Sequence, residues 1–263
     1  MVVPPGDTLL ERAVRDERRI VLGALLAIVV PCWIWIAAMG VDMYGAMDGA
    51  SAWSMTLSWG WRHTVLLFAM WAAMMAGMML PSVAPVLLLY ARVVRTSPDG
   101  PAAGRRLTAL VSGYLAVWTL FSAGATWLQR LLATAGIMTP MMEIESAKLS
   151  GALLLVAGLY QVTPIKGQCL HACRSALGVI TSYWSPGSAG AFGMGVRHGA
   201  YCLGCCWALM LLLFAGGVMN LAVVAGLTGL VLLEKTAPAG HRIAQVSGVV
   251  FLAGGAWLLL APA

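Results

Sequence analysis

Apolar residues fall into long runs separated by short polar connections. Seven runs stand out, near 20–39, 64–90, 107–132, 149–165, 197–216, 218–234 and 242–261. Each is close to the roughly 20 residues a helix needs to cross a hydrocarbon layer about 30 Å thick. The pattern predicts an all-α fold, a polytopic transmembrane helical bundle of about seven spans. Residues 1–19 are polar and read as a cytoplasmic N-terminal segment, leaving 20–263 as a single transmembrane domain. The stretch 167–196 is glycine-rich and half polar, so a cytoplasmic loop with two cysteines and a short amphipathic helix is expected there. A six-span arrangement, with 197–234 as one broken hairpin, is the main rival.

Composition removes the soluble alternatives. Of 263 residues, 60% are hydrophobic and 10% charged, against about 25% charged in soluble domains. The net charge of +6 needs no nucleic-acid partner, because basic residues are retained on the cytoplasmic side of membrane proteins. With the N-terminus inside, thirteen of the sixteen Lys and Arg fall inside, and Arg62, Arg130 and Lys148 fall outside. This places the C-terminus outside. No cleavable leader pattern precedes the first run, so a retained anchor is expected.

Sulfur carries the candidate chemistry. Met70, Met74 and Met78 recur every four residues and share a helical face, flanked by Met75 and Met79. Thioethers suit soft Cu(I), yet methionine is also a gap-filling core residue. Pro81 is expected to kink this helix and free a carbonyl that a neighbour must satisfy. Met39, Met43 and Met47, with Asp42 and Asp48, and Met138, Met141 and Met142, with Glu143 and Glu145, are expected on the outer side as exposed residues. They suit a metal entry site or a partner surface equally.

Five of six cysteines form two groups: Cys169 and Cys173 around His171, and Cys202, Cys205 and Cys206 following His198. His198, Cys202 and Cys206 follow one another at helical spacing. Both groups fall on the inner, reducing side, where structural disulfides are disfavoured. Thiolates with a nearby imidazole suit Cu(I) or Zn(II), and Arg174 and Arg197 are candidate cations beside them. Small-residue helix packing is the competing account. Cys32 stands alone and reads as packing. His63 and His198 start spans at opposite faces, which disfavours a bis-histidine haem. No carboxylate lies mid-span, which disfavours ordinary proton coupling. Gln161 and Thr163 could complete a site with the span at 197–216, whereas Glu234 and Lys235 read as an interfacial pair with a snorkelling lysine.

Three runs together are distinctive: Met74–Ser82, Gly158–Lys166 with Cys169 and Cys173, and Gly199–Met210. With Gly217–Leu221 and Glu234-Lys235, they resemble a bacterial domain-of-unknown-function family of predicted metal-binding integral membrane proteins, from about residue 64 to the C-terminus. The resemblance implies metal binding through the cysteine motifs in the bacterial cytoplasmic membrane. The expectation is a multi-pass protein whose cargo is copper, as Cu(I), with zinc the alternative. Its ligands would be Cys202, Cys205 and Cys206, joined by Cys169, Cys173 and His198. Binding and delivery to a membrane metalloenzyme, rather than catalysis, is the expected role. An accessory subunit of a larger membrane complex is the runner-up, and a thiol oxidoreductase using Cys205 and Cys206 comes third.

Overall fold

The computed structural model describes residues 9–45, 60–97, 100–139 and 141–261, with side chains from residue 18 onward. Met47 and Asp48 lie outside the described residues. The helices are α1 (Leu9–Tyr44), α2 (Trp61–Arg95), α3 (Ala103–Thr134), α4 (Ala147–Gln161), α5 (Pro164–Arg174), α6 (Ala176–Tyr183), α7 (Gly187–Gly216), α8 (Leu221–Thr236) and α9 (Gly240–Leu260). Among the described residues, β structure is limited to one isolated bridge, Met138–Ile144.

Capping residues set the helix starts. The side chains of Ser146, Thr163 and Ser175 accept backbone N–H bonds at the starts of α4, α5 and α6. Asn220 accepts from Ala222 and Val223 at the start of α8. It is therefore a cap as well as part of the turn. Pro164 occupies the first turn of α5, and Thr163 before it is extended (ψ 148°). The chain bends there by 66° between α4 and α5.

Among the described residues, five helices are long and apolar enough to cross a membrane: Arg18–Tyr44 within α1, α2, the Gly100–Thr134 segment containing α3, α7 and α9. The bent α4–α5 pair would make a sixth. The remaining expected span corresponds to α8, which has only 16 residues. The stretch 167–196 is more helical than expected, comprising most of α5, all of α6 and the first ten residues of α7. Glycine and polar content alone made it look like a loop.

Successive long helices run in opposite directions. Trp33 meets Gly77 while the far end of α1 meets Met219 and Leu221. Along α2, Trp71 packs on Phe214, and Met79 lies level with Lys235 and Cys202. At Gly195 on α7, a Cβ would stand 2.0 Å from the Leu110 carbonyl oxygen of α3, so only glycine permits that approach. On α9, Gly255 also lies close to Gly151 of α4, with 2.7 Å from its Cβ position to the Gly151 carbonyl oxygen.

The interior is mainly apolar but takes in several charged side chains, and the exterior is apolar as well. Arg106, Lys166 and Glu234 are buried, whereas Leu120 (75% exposed), Trp257 (74%) and Leu260 (84%) face outward. The expected neighbour for the proline-freed carbonyl is present: Gly77 sits four residues before Pro81, and its carbonyl accepts from Trp33 Nε1 at 3.2 Å. Cys32 packs its Cβ over the same glycine.

Candidate metal centre

Helix α7 presents His198, Cys202, Cys205 and Cys206 on its buried side. The sulfur of Cys202 is the hub. Lys235 Nζ of α8 donates to it at 2.8 Å, and the Tyr114 hydroxyl of α3 lies 3.0 Å away. Lys235 also donates to Ser82 Oγ at 3.1 Å and stands 3.9 Å from the thioether sulfur of Met79. Tyr114 bonds onward to the Met79 carbonyl oxygen at 3.2 Å. Four helices thus meet around one thiol and one thioether.

The other cysteines crowd the same place. Cys205 Sγ donates to the Cys202 carbonyl oxygen at 3.1 Å and lies 3.3 Å from Cys206 Sγ. Cys173, brought in by α5, is in hydrogen-bonding contact with Cys202 and Cys205. All six cysteines are free thiols. Cys169 is set apart, with its sulfur 3.0 Å from the Cβ position of Gly204. His198 stacks on Tyr114, with ring centroids 5.8 Å apart. Its buried Nδ1 lacks a hydrogen-bond partner.

The structure therefore assembles Cys173, Cys202, Cys205 and Cys206, places His198 at their edge and leaves Cys169 to one side. Among the described residues, no group of three or more His, Cys, Asp and Glu side chains is set as a ready-made metal cage. The soft donors that converge are thiols plus one thioether, the set that favours Cu(I) over harder cations.

Several neighbours were not anticipated. Met79 stands out in the sequence as a flank of the methionine stripe and within the Met74–Ser82 run, not as a partner of the cysteines, and nothing in the sequence marks Tyr114. Lys235 is not a snorkelling interfacial lysine: it is 7% exposed and points inward at sulfur. Glu234 is not its partner either. That carboxylate pairs with Lys166 at 2.7 Å, both side chains being 1% exposed. It also accepts from Gln161 Nε2 at 2.7 Å, and the same amide nitrogen donates to Ser247 at 2.6 Å. Gln161 thus joins α8 and α9 rather than the α7 site.

The two arginines expected beside the thiols are otherwise engaged. Arg174 donates to the Glu234 and Ala237 carbonyls, and Arg197 lies over the Tyr183 ring at 4.6 Å. The outer methionines are not exposed as expected: Met39, Met43 and Met142 are 3%, 0% and 4% exposed, and Met138 and Met141 are half-buried.

No curated protein and no solved structure matches the chain. A family described as PpoB2, copper chaperone, matches residues 68–258. That match takes in the Met79 face of α2, Tyr114, every clustered cysteine and Lys235. Since it covers most of the chain, this protein belongs to the PpoB2 family of copper chaperones.

Proposed function

We propose that the chain is a multi-pass protein of the bacterial cytoplasmic membrane that takes up Cu(I) at the Cys202 centre and delivers it to a membrane metalloenzyme. One observation carries the reading. The Cys202 sulfur and the Met79 thioether flank a single buried cation, the Lys235 ammonium, at 2.8 and 3.9 Å. A buried ammonium requires compensation, and a thiolate at Cys202 would supply it. The Lys235 ammonium occupies the position between the two sulfurs, and an arriving Cu(I) would displace it. Cys205, Cys206 and Cys173 then offer further thiols to an arriving Cu(I). His198 stands at the edge as an additional donor, and Cys169 lies to one side beside Gly204 of α7.

The membrane placement rests on the apolar exterior and the long apolar helices. Seven crossings with the N-terminus inside are supported by the alternating helix directions and by the basic residues near the cysteine end. Residues 20–263 then form one transmembrane domain.

Copper and zinc analysis of detergent-purified protein tests the reading. Wild type is expected to retain copper that the Cys202/Cys205/Cys206→Ser variant loses, with little zinc in either. Equal copper in both proteins would overturn the Cys202 centre.

A further inference from the structure

The Cys202 centre does not account for the methionines at the other end of the bundle. Met70, Met74, Met75, Met78 and Met79 of α2 are each at most 2% exposed. They climb from the Cys202 level toward Trp71, which packs on Phe214 and donates to Gln129 at 2.7 Å. Phe214 lies twelve residues beyond Cys202, about 18 Å along α7 at a helical rise of 1.5 Å per residue.

Beyond Phe214, the backbone brings together three separate segments that each carry buried methionines. Met39 and Met43 lie on the last turns of α1, and the Cβ position of Gly40 between them is 3.1 Å from the Met219 carbonyl oxygen. Met219 lies in the turn before α8 and is 0% exposed. Next to it, Val218 N donates to the Met142 carbonyl oxygen at 3.2 Å. Packing alone asks for apolar volume, which leucine supplies with fewer rotatable bonds.

We propose that Met39, Met43, Met142 and Met219 form a second Cu(I) site, joined to Cys202 by the α2 methionines, so that copper passes through the protein lengthwise. Thioethers are neutral and hold Cu(I) less firmly than a thiolate, so the gradient of affinity runs toward Cys202. The inference rests on the copper reading above and adds a second site and a route.

The test uses Ag(I), a soft monovalent probe, on detergent-purified full-length protein carrying ¹³C-methyl methionine. Single Met→Leu variants assign the methyl signals. Wild type should bind about two equivalents per chain, one at thiolate and one at thioether. In the Cys202/Cys205/Cys206→Ser protein, the methyls of Met43, Met142 and Met219 should still shift. A Met43/Met142/Met219→Leu protein should lose that weaker equivalent alone. If Met79 shifts in wild type while the far methyls stay fixed, the second site is overturned and the Cys202 centre stands. If none of them moves, both are overturned. The wild-type spectrum decides even where the triple leucine variant fails to fold.

Discussion

Lys166 and Glu234 share a 2.7 Å ion pair with both side chains 1% exposed, and Gln161 bridges it. Removing one partner strands the other charge in a low-dielectric interior. Lys166→Met is therefore expected to destabilise the protein by about 3–5 kcal/mol. Lys166→Met combined with Glu234→Leu should recover most of that loss, as read by unfolding in mild detergent. If the double variant is no more stable than the single one, the pair is not the source of the loss. The adjacent Lys235 contributes differently, because its ammonium faces sulfur instead of carboxylate. The sequence places Glu234 and Lys235 side by side, which suggests that they pair. Neighbouring helical residues point about 100° apart, and the partners sit on α5 and α7, beyond the reach of local pattern reading. The cysteines were more legible, since spacing alone puts His198, Cys202 and Cys206 on one face. Tyr114 left no such trace, being one tyrosine in an apolar helix.

At the level of elements, close helix approach positions the centre. The α3–α7 contact brings Tyr114 to Cys202, and it depends on Gly195. Gly195→Leu should push the two helices apart, with a loss beyond the roughly 1–3 kcal/mol of ordinary overpacking. Copper retention should fall with it. Gly193→Ala, on the same helix with open space around its Cβ position, should be neutral or stabilising by up to about 1 kcal/mol. Thermal unfolding of the two variants side by side checks this, and equal behaviour would refute the packing account. Most helices were readable from their apolar runs. The exception is 167–196, where polar residues mask α5, and α6 is only eight residues long. The hidden reason for α5 is tertiary: Lys166 and Cys173 are buried by α7 and α8, which periodicity in one segment cannot reveal.

At the scale of the molecule, the basic residues divide into two kinds. Arg106, Lys166 and Lys235 were counted with the inner thirteen, yet all three are buried. Arg106 donates to Tyr90 and to the Ser185 carbonyl, bracing α2, α3 and the start of α7. They serve the interior, and the others carry the orientation signal. On the proposed topology, reporter tags at the N- and C-termini should be accessible from opposite sides of sealed membranes. Accessibility from the same side would remove one crossing. The charge bias was thus legible in the sequence, while the division between structural and orienting cations needed the packing. Finally, consecutive α8 residues lock onto two different neighbours, Glu234 onto Lys166 and Lys235 onto Cys202. The azimuth of α8 is therefore registered twice. Inserting or deleting one residue within α8 ahead of Glu234 would rotate its last turns by about 100° and unseat both contacts together. The residue spacing along that helix should be intolerant of change, although its outward-facing side chains need not be.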